Sequence, residues 1–252
     1  MVARHKMSTV KFSKIRVLET GYNTAALNMA IDEALIENIG EVPVLRIYGW
    51  RPAAVSIGYF QSIKDEVNLE KCSEIGVDVV RRLTGGGAVL HEFELTYSFI
   101  TKQYPQNIMD SYRWICEAIV ISINRLGFDA SFVPLNDIAV KGKKVSGSAQ
   151  TRRKGVLLQH GTLLLGVDVD KMFCILRVPS EKLKDKIIKD VKERVTSLAG
   201  TTFDDMALSL KTSFATKFNA KLVADTVSTE EISRARWLAE RKYSSKEWNL
   251  RR

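Results

Sequence analysis

At 252 residues, with 45 % hydrophobic and 27 % charged residues, the chain has the composition of a packed globular protein, which excludes disordered and fibrous classes. Lysine and arginine outnumber aspartate and glutamate by 38 to 29, and the net charge of +9 favours an acidic partner. No zinc-finger spacing, RNA-binding signature or basic arm accompanies that charge, so no nucleic-acid partner is expected. The three cysteines, Cys72, Cys116 and Cys174, form neither a CxxC motif nor a disulfide framework, no apolar run approaches the roughly 18 residues of a membrane span, and the N-terminus lacks the apolar core of a secretory signal. A cytoplasmic protein without membrane contact is the expectation.

In chain order, a short strand over Lys14 to Leu18 precedes an amphipathic helix over Asn23 to Ile39, where Leu27, Ala30, Ile31, Ala34 and Leu35 recur at helical spacing. Two strands follow, Val44 to Tyr48 and Ala54 to Tyr59, separated by Arg51 and Pro52. A polar helix runs to Ile75. The strand Val77 to Arg82 then empties into Thr84, Gly85, Gly86 and Gly87, and β character resumes over Leu95 to Thr101. Asp110 to Leu126 is helical, with Ile115, Ile119, Ile123 and Leu126 along one side. Ile138 to Val169 reads as a β-meander that turns at Lys141-Gly142 and within Arg152 to Gly155. Helices over Glu181 to Leu198 and Phe203 to Phe218 come next, and a last one opens with Ser228 and Glu231 in capping-box spacing. Helices interleaved with strands on short, hairpin-like connections predict an α+β fold with a mixed sheet.

Three segments could carry chemistry. The glycines after Arg81 and Arg82 let backbone N–H groups approach an anion closely, although a tight turn flanked by surface arginines explains them equally well. In the strand-like Gly142 to Gln150, burying Val145 turns Lys144 to the opposite face, where a fixed positive charge would meet charge that develops during acyl chemistry. A solvated hairpin lysine is the competing reading. Gln159-His160-Gly161-Thr162 interrupts an apolar strand, which suits a buried, hydrogen-bonded histidine. His91 reads the same way, and three histidines in all make a histidine metal site unexpected.

Taken together, RRLTGGGAVLH at 81–91, NDIAVKGKKVSGSAQ at 136–150 and QHGTLLL at 159–165 resemble the catalytic domain of the lipoate-protein ligase A family, of the split type and within the biotin/lipoate ligase superfamily. LNMAIDEAL at 27–35, IGYFQ at 57–61, KERVTSL at 192–198 and KYSSKEWN at 242–249 extend the resemblance over nearly the whole chain. It implies a mixed, largely antiparallel sheet flanked by helices, related to class II aminoacyl-tRNA synthetases. It also implies one catalytic domain over 1–252, with a core at about 12–250 and no C-terminal accessory domain.

The activity implied is ATP-dependent activation of lipoate to lipoyl-AMP, then transfer to a lysine of an acceptor protein. By this resemblance Lys144 is catalytic. Arg82, Gly87, Ala88, Val89, Leu90, Lys144, Asn136 and Asp137 bind ATP or the adenylate, with Asp137 also on magnesium. Gly85, Gly86, Lys144, Gly147, Ser148, Ala149, His160 and Gly161 bind lipoate. ATP and Mg2+ are the expected cofactors. The expected partners are lipoyl acceptor domains of 2-oxoacid dehydrogenase E2 subunits or the glycine cleavage H protein, with a separate small accessory subunit beside a monomeric catalytic chain.

HEFELTYSF at 91–99 and GSAQTRRKGVLLQHG at 147–161 look as much like cysteine-dependent octanoyl or lipoyl transferases of the same fold. Those enzymes hold the acyl group on a thiolate. No cysteine lies between Cys116 and Cys174, and Arg-Val-Pro-Ser stands at 177–180, where one branch carries its cysteine. Cys174 itself reads as a buried structural thiol. On these grounds the ligase is the expected activity, with the transferase as the alternative and a non-catalytic acyl- or acceptor-binding module as a third reading.

Overall fold

A computed structural model describes residues 10–177 and 184–252. Its centre is an eight-stranded sheet built from β1 (Lys14–Asn23), β2 (Val44–Trp50), β6 (Glu94–Thr101), β7 (Ala130–Val133), β8 (Asp137–Val140), β9 (Lys143–Arg153), β10 (Val156–Leu164) and β11 (Lys221–Asp225). The spatial order is β11-β1-β2-β6-β10-β9-β8-β7. Only β1 pairs in parallel, with β11 and with β2; from β2 onward every neighbour is antiparallel. A second sheet of β3 (Ala54–Ile57), β4 (Asp78–Arg81) and β5 (Val89–His91) carries the triple glycine between its last two strands. The expected mixed, largely antiparallel α+β fold is what the chain adopts.

The meander is pinned by its turns. Lys141-Gly142 and Lys154-Gly155 both have positive φ at both positions, 49° and 78° in the first, 51° and 77° in the second. That is the two-residue hairpin geometry that matches strand twist, and it fixes the registers of β8 with β9 and of β9 with β10. In β9 a bulge opposite Ile138 and Ala139 interrupts the alternation, so Val145 and Ser146 are both buried while Lys144 stays half-exposed.

Helices cover both faces of the large sheet. On one side α4 (Ile108–Arg125) and α7 (Phe203–Phe218) enclose an aromatic core in which Phe99 stacks on Phe218 at 5.5 Å and Trp114 meets Phe218 edge-on at 4.9 Å. On the other, α1 (Ala25–Asn38) and α8 (Thr229–Leu238) pack Ala30, Ala34, Leu35 and Leu238 over β2 and β10. Ser228 and Glu231 form the expected capping box. A π-helical turn (Ala239–Tyr243) and α9 (Lys246–Asn249) follow, and Asn249 and Trp248 clasp the backbone and guanidinium of Arg81. No helix among the described residues is long and apolar enough to cross a membrane.

Some elements differ from the sequence reading. The polar helix before Ile75 is two short pieces, α2 (Ile63–Glu66) and α3 (Leu69–Glu74), and the strand after Ala54 stops at Ile57 because Gly58 turns the chain. After the meander come α5 (Val169–Ile175) and α6 (Lys184–Arg194); the start of the expected helix, 181–183, lies outside the described residues.

Inside the α1 face, Arg46 and Asp32 form a fully buried ion pair at 2.7 Å. Arg46 also donates to the Asn28 carbonyl at 2.9 Å and to Asn28 Oδ1 at 2.6 Å. Removing one partner of such a pair strands a charge in low dielectric, so Arg46→Ala is expected to lose about 3–5 kcal/mol in a denaturant titration. A loss below about 1 kcal/mol would place the pair in contact with water instead.

Candidate active site

The glycine loop and the meander meet over a cavity of about 390 Å3. One wall comes from Arg82 and the stretch Gly86 to Glu94, another from Lys144 and Gly147 to Ala149 of β9, and a third from His160 to Thr162 of β10. Met29, Trp50, Leu164, Val167, Met172, Val191 and Val195 make the remainder largely apolar. Such a volume with few polar groups suits an alkyl chain with one polar end.

Close backbone approaches explain the glycines. A Cβ on Gly161 would meet the Gly147 carbonyl oxygen and Ser148 Oγ at 2.8 Å each, so β9 and β10 pack here only without a side chain. At Gly147 a Cβ would lie 3.0 Å from Lys144 Nζ, because the lysine folds back across that residue. A Cβ on Gly58 would lie 2.0 Å from the Gly86 carbonyl oxygen, which fixes the glycine loop against β3.

Lys144 Nζ pairs with Asp137 Oδ1 at 2.8 Å on the neighbouring strand, both groups partly exposed. Its backbone is held as well: Thr196 N–H donates to the Lys144 carbonyl at 2.9 Å, and Val195 bridges to it in parallel. The segment after α6 thus closes the cavity at the lysine. Asn136 clips the adjacent strand by donating its side-chain amide to the Ser148 carbonyl and accepting from Ser148 N–H at 3.0 Å.

Arg82 is almost wholly buried, and burial lowers its guanidinium to about 10. All three nitrogens are engaged. Nε donates to Thr84 Oγ1 and the Gly85 carbonyl, Nη1 to the Ser56 carbonyl and hydroxyl, and Nη2 to the carbonyls of Gly85 and Gly87 at 2.7 Å each. The arginine therefore shapes the loop as well as lining the cavity. His91 is held between Ser56 and Glu94, each at 2.7 Å, and stacks on Trp50 at 4.0 Å.

His160 joins the buried pair to the loop. The Asp32 carboxylate can only accept, so His160 Nδ1–H donates to Asp32 Oδ2 at 3.3 Å, and the other nitrogen of the neutral ring, Nε2, accepts from the Thr84 hydroxyl at 2.7 Å. Burial holds His160 below its ordinary value, against the pull of Asp32. Burial pushes Asp32 up, but Arg46 and the hydrogen bonds from His160 and Ser98 outweigh it and hold the carboxyl down.

Of the residues singled out in the sequence, the cavity wall gathers Arg82, Gly86 to Leu90, Asn136, Lys144, Gly147 to Ala149, His160 and Gly161, and leaves Gly85 and Asp137 just outside it. As a magnesium site Asp137 does not fit on its own. One oxygen is already on Lys144, and no group of three or more His, Cys, Asp or Glu lies together among the described residues. The sequence reading missed Asp32, Arg46, Ser56 and Thr84. Two of these left a signal: an aspartate in the apolar stripe of α1 and an arginine inside β2, buried at every position, are opposite charges in strongly apolar runs.

None of the three cysteines is in the cavity wall. Cys116 lies behind it on α4, 3.9 Å from Ser148 Oγ, with its thiol pushed up to about 11 by burial. Cys174 corrects an expectation: it is exposed, because α5 turns Phe173 and Ile175 inward instead.

Residues 24–218 match the family model described as the lipoyl protein ligase A/B catalytic domain. The chain belongs to this family. It is 38 % identical to an octanoyltransferase LipM from Bacillus subtilis, over 94 % of this chain and 98 % of that one, and 38 % identical to a LipM from Kyrpidia tusciae over the same shares. Among solved structures it is similar to a bi-partite lipoate protein ligase, studied with its E2 lipoyl domain, from Thermoplasma acidophilum (TM-score 0.88, 35 % identity, 95 % and 96 % of the two chains). It is also similar to a lipoate-protein ligase A bound with ATP (TM-score 0.83, 31 % identity, 94 % and 98 %). The chain is thus an enzyme of the lipoate ligase and octanoyltransferase family. The expected ATP-dependent ligase activity is overturned by the LipM relatives, whose name denotes transfer of an octanoyl group and which align over almost the whole chain.

The His160–Asp32 link sets a pH dependence. With both folded values lowered, unfolding lets His160 take up a proton near 6.5 and Asp32 near 3.8, so their stabilisation is complete above about pH 6.5 and is lost as pH falls through the folded values. Urea midpoints between pH 7.5 and 5 are expected to fall, and His160→Gln to flatten the decline. An equally steep decline in the variant would assign it to other groups.

Proposed function

We propose that this chain transfers an octanoyl group from an activated thioester donor to the amine of a lysine on a lipoyl acceptor domain. The observation that carries the reading is Lys144, set at the edge of an apolar cavity in a chain that aligns over 94 % of its length with octanoyltransferases. The alkyl chain lies among Met29, Trp50, Leu164, Met172, Val191 and Val195, and the thioester carbonyl reaches the Gly147–Ala149 edge.

Lys144 Nζ, held by Asp137 and folded over Gly147, supplies the positive charge that faces the carbonyl oxygen as it gains negative charge. The acceptor amine attacks the carbonyl carbon, the C–N bond forms, the C–S bond breaks, and the departing thiolate takes the proton that the nitrogen loses. Catalysis then rests on positioning and charge stabilisation. The donor is already activated, so ATP and magnesium have no part in this step. The placement of the thiols favours direct transfer over an acyl-cysteine, because Cys116, the thiol bonded to a cavity-wall residue, is raised to about 11 and stays protonated at neutral pH. The lipoyl-domain acceptor is supported by the E2 lipoyl domain studied with the Thermoplasma neighbour.

Incubating the purified chain with octanoyl-carrier protein and an apo lipoyl domain, without nucleotide, should give octanoyl-lysine by mass spectrometry. Product that appears only with ATP overturns the reading, and an octanoyl adduct on the enzyme overturns direct transfer. Lys144→Ala should lower the transfer rate by about 10² to 10³ with the fold intact by circular dichroism. A variant within threefold of wild type would remove Lys144 from the chemistry.

A further inference from the structure

Many surface cations of this chain are neutralised locally: Lys211 meets Glu19, Lys217 meets Glu117, Arg234 meets Glu37 and Lys242 meets Glu33. Around Tyr59 several cations gather without such a partner and are held by aromatic rings instead. Arg153, at the β9–β10 hairpin, and Arg251 both lie over the Tyr59 ring, at 5.5 and 3.8 Å, and Arg251 also lies 4.2 Å from the Trp248 ring, which meets Tyr59 edge-on. Neither guanidinium meets a carboxylate among the described residues. Buried beneath them, Arg81 spends its donors on the carbonyls of Gly58, Tyr59, Gln61, Trp248 and Asn249, so its charge is also uncompensated.

The neighbouring charges are felt. Arg81 is lowered first by burial and then by Arg251 and Arg252, and the exposed Tyr59 hydroxyl is lowered by hydrogen bonding to Arg251 and by the charge of Arg153. Beside this cluster Phe60 stands 67 % exposed. Concentrated like charge next to the exposed Phe60 and half-buried Tyr59 is unfavourable for the isolated chain and suited to an anionic protein surface, where aromatic residues and arginine anchor contacts.

The cluster is tied to the cavity by two routes. Tyr59 N–H donates to the Thr84 carbonyl at 2.8 Å, at the root of the glycine loop. Strand β9 carries both Ala149 of the cavity wall and Arg153, four residues on and therefore about 13 Å away along the strand. A small domain seated on the cluster would hold a projecting side chain within reach of the cavity mouth.

We infer that Tyr59, Phe60, Arg153 and Arg251 form the docking surface for the lipoyl acceptor domain, which meets them with an acidic face complementary to the unpaired arginines. The identity of this partner rests on the proposed acyl transfer; the surface itself does not. The charge of the pair steers the encounter, and the aromatic rings supply the contact that outlasts it.

Binding without turnover tests this separately from catalysis. An apo lipoyl domain is titrated calorimetrically into wild type, Arg153→Gln, Arg153→Glu and Lys221→Glu, the last placing the same charge change on exposed strand β11 at the far sheet edge. The expected result is a graded weakening at Arg153, reaching about tenfold for Glu, with a reduced salt dependence and less than twofold at Lys221. Unchanged affinity in Arg153→Glu overturns the proposal, as does equal weakening by Lys221→Glu, which would assign the effect to net charge. A wild-type chain that transfers octanoate but does not bind the domain overturns docking and leaves the activity standing. Loss of octanoyl-carrier protein binding alone in Arg153→Glu would place the donor there instead. Matching thermal midpoints across the four proteins exclude unfolding as the cause.

Discussion

The buried contact between Arg46 and Asp32 sets the terms for the rest of the site. Taking both charges out of water is costly, and the protein offsets that cost by filling the remaining valences: Asn28 and Thr20 on the arginine, Ser98, Tyr48 and His160 on the aspartate. Through His160 the network reaches Thr84, and through Thr84 it reaches Arg82 and the glycine loop. A loop of three consecutive glycines has little rigidity of its own. Here it borrows rigidity from an ion pair in the core, and the cavity wall inherits a defined shape.

The parts of this fold that local chemistry determines were legible in the sequence. Lys141-Gly142 and the stretch Arg152 to Gly155 announced their hairpins, Ser228 and Glu231 their helix start, and the apolar spacing of Ile115, Ile119 and Ile123 their helix. Strands β5, β7 and β11 were not foreseen, since a run of three to five residues such as Val89–His91 is specified by the strands it pairs with. The same distinction holds in the site. Glycines and Lys144 stood out by residue type, whereas Thr84 and Ser56 matter only because folding places them against His160 and Arg82.

Lys144 also shows how far spacing can carry an argument about chemistry. Alternation correctly turned it away from the core, yet the bulge in β9 and the hydrogen bond from Thr196 give it a fixed place, and neither is visible before the fold is known. The expectation of adenylation came from motifs by which the chain resembles both ligases and octanoyltransferases, and they mark the shared family rather than the reaction. What separates the two activities is the source of the activated acyl group, which relatives aligned over nearly the whole chain indicate better than any single residue.

The cavity wall is assembled from segments as distant as Met29 on α1 and Val195 beyond α6. No continuous stretch of the polypeptide contains more than one wall of it, so an enclosed cavity is a property of the finished molecule alone. A ligand seated there clasps the N-terminal and C-terminal portions of the chain at once, and its binding energy adds directly to the cohesion of the whole. In a nascent or partly unfolded chain such a ligand would meet single walls at most, and its binding would distinguish mature molecules from incomplete ones.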